Sequence, residues 1–473
     1  MAEAMRKEAA NINNANPGHS TTPRGDAIAQ YVAGTSQRQF PPEVIEAAKK
    51  NFVDFMGVAV GGYYEGPAVA VRKTVQSWGA QGKAQVFLDK PTSPGAAALV
   101  NGTMAHCMDY DDGHPGGAGH SSAPLCSATL AVVQHLGLSE KEALAGYITG
   151  FEVMARLGGG FVEGVGRNTA RRGFHPTAFF GTAGVAAAAS ALMKLDAQQA
   201  AYAMGVAGTT AGGLVASFGS DSKPLHGGQA AMNGIHAAQL ASNGFKSATA
   251  LFELEKGLLD ALIQDKQVKD IPPMDFDARW EVTLNAFKPY ACCRATHASV
   301  QAARTLAKKI GKRKVARAHV KLYKNALFVA GKMNPQTPLE CKFSVPFTIS
   351  MGLRDYALAA PDFSYETLKD ESVTQIVPLV ECEVVDDQLQ GESHLDVWLE
   401  DGEHLHADTA VVIGHPDNPM SWDDMHAKFM ALVKPVIGMD KSEELYTLVR
   451  GMDAPGSLAK IFGILSGTPL PQR

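Results

Sequence analysis

The chain has 473 residues, with 43 Lys and Arg against 48 Asp and Glu, a formal net charge of −5, 45% hydrophobic and 19% charged residues. With a sequence pI near 6.3, this balance gives no basic footprint for nucleic acid or an anionic membrane. It is that of a folded globular protein rather than a disordered one, and too long for one simple core.

Residues 1–25 have no apolar run of the signal-peptide kind and read as a mobile leader. Pro41-Pro42 then opens PPEVIEAAKKNFVDFMGVAV, whose apolar residues fall at helical spacing. Ser139, with Glu142 three residues on, marks a second helix start. Residues 177–192 and 229–241 are rich in Ala and Gly, the composition of helices that pack closely. Near Lys288 the pattern changes. Residues 315–323, 380–385, 394–399 and 405–413 have strand character, with Asp401-Gly402 as a hairpin turn between the last two. Residues 298–309 and 346–360 read as helices among them, and 422–433 and 442–450 are helical again. The expected fold is mainly α: a large all-helical domain from residues 26–284 and 416–473, with a smaller α+β lid domain, 285–415, inserted between.

Six cysteines, at 107, 126, 292, 293, 341 and 382, include no C-x-x-C pair, which fits a reducing, cytoplasmic setting without structural zinc or iron–sulfur spacing. No run of 18 apolar residues suggests a membrane span.

Four stretches carry chemistry. Residues 101–123, NGTMAHCMDYDDGHPGGAGHSSA, pack Asp109, Asp111 and Asp112 with His106, His114 and His120. Arg171 to Thr177 (RRGFHPT) brings His175 to the start of an Ala-rich helix, where the dipole favours anions. Lys223 to Gly228 (KPLHGG) is expected just before another such helix, and Phe287 to His297 (FKPYACCRATH) before a third. Lysines, arginine and histidines at such junctions suit a small polycarboxylate. Ammonium groups stabilise charge that builds on its oxygens, and a histidine near neutral pKa moves a proton, typically for a factor of about 10²–10⁴.

Each residue also has a plainer reading. Asp109, Asp111, Asp112 and His114 are possible metal ligands, but no H-E-x-x-H or EF-hand spacing supports one, and no metal is expected. Asp109 is also a helix-cap candidate. His175 alone fits a satisfied buried histidine, and Lys223 and Lys288 taken singly fit solvated lysines. His106, His226 and His297 are expected to be structural or supporting. The glycine-rich stretch 158–166 lacks the G-K-[ST] of a phosphate loop.

Together the motifs NG-x3-H-x2-D-x-DD, R-G-FHPT, K-x-x-H-x-G-x-AA and KPY-x-x-C-x-x-x-H resemble those of the MmgE/PrpD family, which includes 2-methylcitrate dehydratase, cis-aconitate decarboxylase and iminodisuccinate epimerase. The resemblance runs from about Asp26 onward. It implies a helical domain with an α+β lid, a homodimer, and no cofactor in the decarboxylase and epimerase branches. Carried onto this chain, it implies an active site lined by Asp109, His120, His175, Lys223 and Lys288, with His114, Arg294 and Phe347 taken as substrate-contacting. The chain departs from the decarboxylase branch at Gly113, where that branch has a threonine, at Phe347, where it supplies an aromatic hydroxyl, and in the GGAG preceding His120. With two hydrogen-bond donors gone, a substrate other than cis-aconitate is expected.

The resulting expectation is a cofactor-independent lyase, a dehydratase or decarboxylase, acting on a small di- or tricarboxylate by α-proton transfer. Lys223 and Lys288 hold carboxylates, His120 and His175 are acid and base in an order the motifs leave open, and Asp109 orients one of them. The alternatives are an epimerase using the same groups and a catalytically silent ligand-binding member. No nucleic-acid or membrane partner is expected.

Overall fold

The computed structural model describes residues 23–159, 165–249, 251, 256–264, 276 and 279–472. Most of the leader, and residues 160–164 of the glycine-rich stretch, lie outside the described residues. The chain forms two compact units: one from residues up to Cys107, Asp111–Asn285 and Val433 onward, the other from Met108–Tyr110 and Ala286–Leu432. The fold is mainly α, a helical part plus a small α+β part.

The first unit contains α1 (Pro23–Ala33), α2 (Pro42–Gly61), α3 (Gly66–Ser77), α4 (Pro94–His106), α5 (Ser122–Leu136), α6 (Glu140–Leu157), α7 (Val165–Arg171), α8 (Pro176–Leu192), α9 (Ala197–Thr210), α10 (Ser222–Ser242) and α11 (Leu258–Ile263). Pro42 occupies the first turn of α2, where its missing N–H costs nothing. Ser139 and Glu142 form a reciprocal capping box on α6, a motif contributing about 1 kcal/mol. Every residue of α8 is buried, and small side chains let α4, α6, α8 and α10 pack tightly. α4 and α10 approach closely at Gly102 and Gly228, where a Cβ on Gly228 would lie 2.1 Å from the Leu99 carbonyl oxygen. Any larger residue there would drive α4 from α10, and with them the side chains at their ends.

One expectation is corrected here. Lys223 does not precede its helix but lies in the first turn of α10, because Pro224 is tolerated that close to a helix start.

The second unit is built on a four-stranded sheet in the order β2-β1-β3-β4, from β1 (Val315–Tyr323), β2 (Val380–Val385), β3 (Ser393–Leu399) and β4 (His404–Thr409). β1 and β2 run parallel; the other two pairings are antiparallel. Its helices are α12 (His297–Ile310), α13 (Ala326–Ala330), α14 (Pro338–Cys341), α15 (Val345–Leu353) and α16 (Glu371–Thr374). Period-two alternation buries Ala318, Val320, Leu395 and Val397 against Ala302, Leu306 and Ile349 of α12 and α15. Gly402, at φ 92°, closes the expected hairpin, with Leu399 N–H donating to Glu403 O at 2.9 Å.

Two predicted elements are too long. β4 ends at Thr409 because its partner β3 begins opposite it at Ser393. α15 ends at Leu353, after which Asp355 and Leu358 take positive φ and turn the chain. Helix α17 (Trp422–Ile437) then passes from the second unit into the first, followed there by α18 (Met439–Arg450) and α19 (Ser457–Leu465). No helix among the described residues is long and apolar enough to cross a membrane.

Candidate active site

In the first unit, α4 delivers His106 at its last residue, the following loop delivers Asp111 and His120, α8 is preceded by His175 as its N-cap, and α10 carries Lys223 and His226 in its first two turns. The loop is fixed from within. His114 N–H donates to Gly119 O at 3.0 Å, and His120 N–H donates to Thr177 Oγ1 at 3.0 Å. Gly119 has φ 94°, and a Cβ on it would lie 2.5 Å from the Thr177 nitrogen. Gly119, the last residue of the GGAG, is therefore set by the space beside α8.

Asp111 is the centre of the cluster. Its Oδ2 makes a 2.8 Å hydrogen bond with His106 Nδ1 and lies 3.2 Å from His120 Nδ1. The two imidazoles hold the Asp111 carboxyl well below its usual range against the opposing effect of burial. Burial pushes His106 down to about 4, helped by the Lys223 charge, although Asp111 pulls the other way. Asp111 is thus anionic and accepts from the Nδ1–H of His106, leaving His106 Nε2 as a buried lone pair without a protein partner among the described residues. Of the rings in contact with Asp111, His120 is the accessible one, at 19% side-chain exposure against 0% for His106.

His175 continues the cluster. Its ring stacks on His106 at 5.8 Å between centroids, and its Nδ1 lies 3.0 Å from His226 Nδ1. One of those two nitrogens must donate and the other accept, so the pair shares one proton. Backbone pairing places His175, whose N–H donates to Gly213 O at 3.0 Å while Val215 N–H donates to Gly173 O at 2.9 Å. Burial first, then His106 and Lys223, push His175 well below its ordinary value. Lys223 is buried and sits over the Phe218 ring, 5.4 Å from its centroid.

Asp112, beside Asp111, has a different task. Its carboxylate accepts from Ser122 N–H at 3.1 and 3.2 Å, from Ser122 Oγ–H and from Asn285 Nδ2–H, both at 2.5 Å, which ties the loop to the start of α5. Burial raises its pKa, with the Asp111 charge adding to the effect. His114 is likewise tied down: Nε2 lies 3.0 Å from Glu281 Oε2, and Nδ1 accepts from Gly116 N–H at 3.2 Å.

In the second unit, Asp109 and Lys288 form a buried ion pair of 3.1 Å, and Lys288 Nζ also donates to the Asp109 carbonyl at 2.6 Å. Arg294 donates to Ala286 O at 3.1 Å. Phe347 is buried in α15, its N–H capped by Ser344 Oγ at 3.2 Å. His297 Nε2 lies 3.0 Å from the Cys292 carbonyl oxygen.

The expected sets therefore regroup. His120, His175 and Lys223 fall in the first unit's cluster; Asp109, Lys288, Arg294 and Phe347 fall in the second unit. The carboxylate set against the histidines is Asp111, whereas Asp109, expected to orient a histidine, is paired with Lys288. His106 and His226, expected to be supporting, are members of the cluster. Two signals were available: His106 and Asp111 flank a short loop, and Lys223 and His226 stand three apart, on one helix face. The same His106, Asp111 and His120 offer three donor atoms within 4.8 Å of one another, the set among the described residues with the composition to hold a metal ion. The 2.8 Å hydrogen bond and the 3.2 Å charge contact converging on one oxygen also suit an acid–base group.

The titratable loops are thus carried by a helical part with a small α+β part. The N-terminal domain of the MmgE/PrpD family matches residues 26–271 and its C-terminal domain residues 290–454, and the chain belongs to that family. Among its relatives are the cis-aconitate decarboxylases of Homo sapiens, 28% identical over 80% of this chain and 81% of that protein, and Mus musculus, 26% identical over 93% of each. Another, from Aspergillus terreus, is 22% identical over 93% of this chain and 95% of its own length.

Proposed function

We propose that the protein is a lyase of the MmgE/PrpD type, and within that class a carboxy-lyase acting on a small di- or tricarboxylate. The observation that carries the reading is the single anionic carboxylate, Asp111, shared by two histidines beside a proton-sharing histidine pair and a buried lysine. The relatives' names point to the same reaction class. When a carboxylate leaves as CO₂, its bonding electron pair stays on carbon and must take a proton. Lys223 in the first unit and Lys288 in the second are the proposed carboxylate holders. The Asp111 charge, 3.2 Å from Nδ1 of His120, favours the proton on that nitrogen and leaves Nε2 as the one proposed to gain and lose the proton. His175, its state set by His226, is the second acid–base group. Desolvation strengthens each of these interactions.

The relatives make cis-aconitate the first compound to try. Gly113 and Phe347, which carry neither the hydroxyl nor the phenol of the decarboxylase branch, make a different small polycarboxylate the stronger expectation. The deciding experiment is NMR of the protein in D₂O with aconitate, citrate, methylcitrate and tartrate. A carboxy-lyase releases CO₂ and places one solvent deuterium on the product carbon. Loss of water instead indicates a dehydratase. Deuterium washed into recovered substrate with nothing lost indicates an epimerase, and no change with any compound counts against the lyase reading.

A further inference from the structure

Three successive backbone carbonyls in the second unit each accept from a different lysine. Lys342 Nζ–H donates to Met108 O at 2.9 Å, Lys288 to Asp109 O at 2.6 Å and Lys428 to Tyr110 O at 2.8 Å. The strap is held at its side chains too. Tyr110 O–H donates to Pro289 O at 2.9 Å, and the Lys428 ammonium sits 4.1 Å from the centre of the Tyr110 ring. The lysines come from three distant places in the sequence: the loop before α12, the residue after α14, and α17. Lys288 and Lys428 are buried and Lys342 is half-buried.

Burying an ammonium group costs several kcal/mol unless strong hydrogen bonds replace its water, and a charge-assisted bond is about twice as strong as a neutral one. Spending such groups on the carbonyls of a tripeptide makes sense if the conformation of that tripeptide matters. Asp109 is its middle residue and has φ 53°, in the left-handed region that non-glycine residues seldom occupy. In that conformation its carboxylate meets Lys288 at 3.1 Å.

We propose that Lys342 and Lys428 are positioning residues: they clamp the Met108–Tyr110 strap so that Asp109 is presented to Lys288. Neither lysine lies in the four motifs that carry the chemistry. The kinetic side of this inference rests on the lyase reading; the structural side does not.

Lys428→Met and Lys342→Met, each in the full chain, provide the test, Lys342 being the half-buried position where folding is least at risk. Amide exchange at Asp109 and Tyr110 is expected to speed up about ten-fold or more in each variant. Misplacing a reacting group by 1 Å can cost on the order of 10²-fold, so kcat is expected to fall about 10- to 100-fold while KM moves less than about three-fold, with Lys428→Arg recovering most of the loss. Unchanged exchange in both variants overturns the clamp. A raised KM with kcat intact also overturns it, since that is the mark of lysines that bind substrate directly. If the unaltered protein turns over no polycarboxylate, the lyase reading fails, and amide exchange alone still decides the clamp.

Discussion

Asp109 and Asp111 stand two residues apart, yet the first unit sets its aspartate against imidazoles and the second sets its own against an ammonium group. An imidazole changes charge near neutral pH and a lysine ammonium does not. A carboxylate on histidines can therefore govern where a proton goes, whereas a carboxylate on lysine can only fix a charge in place. Burial reinforces the contrast, driving His106 and His175 toward the neutral form. In the proposed lyase chemistry the first region moves protons, with Lys223 beside the histidines as a carboxylate holder, and the second supplies a fixed charge at Lys288.

The sharpest way to break this division is to remove an imidazole. His120→Ala and His175→Ala are each expected to lower kcat by about 10²–10⁴-fold, the usual range for a lost acid–base group, while the melting temperature holds. Activity that survives either change would remove the proton-moving role from the cluster. Lys223→Ala and Lys288→Ala come next, with losses of about 10²-fold in kcat/KM expected for removed charge stabilisation. A loss in KM alone would make them binding groups only.

A smaller effect, about ten-fold in kcat, is expected for His226→Gln, because the change perturbs His175 only through the shared proton; the estimate lies at the low end for acid–base contributions. The accompanying sign is a displaced limb in the pH–rate profile, and a profile superimposable on that of the unaltered protein would separate His226 from the chemistry.

The smallest effect concerns stability. Burial holds His106 at about 4, below its ordinary 6.5, and lowers His175, His226 and His297 as well. Between those two values the unfolded chain binds protons that the folded chain does not, so the stability present above pH 6.5 is lost as pH falls toward 4. Scanning calorimetry should show the melting temperature dropping across that window. A flat response would mean these histidines are not held neutral.

The sequence was most readable where local chemistry decides structure. The capping box at Ser139, the hairpin at Gly402 and β1 and β2 stand where periodicity and turn residues put them. Element ends set by partners were less visible: nothing within 405–413 says that β3 starts opposite Thr409. The same holds for the site. Motif spacing pointed to His120, His175, Lys223 and Lys288, but whether Asp109 or Asp111 meets the histidines depends on how the loop folds back beside α8. Lys342 and Lys428 gave no signal, because their partners are backbone carbonyls, which every sequence has.

The division of labour is tested most directly by Asp111→Asn, an isosteric change that removes the negative charge from His106 and His120 without opening a cavity. With the best substrate from the polycarboxylate panel and the thermal melt intact, kcat is expected to fall by about 10²–10⁴-fold, as much as in His120→Ala. Turnover within a few-fold of the unaltered protein would contradict the central claim, since the histidines would then be working without the carboxylate proposed to set them.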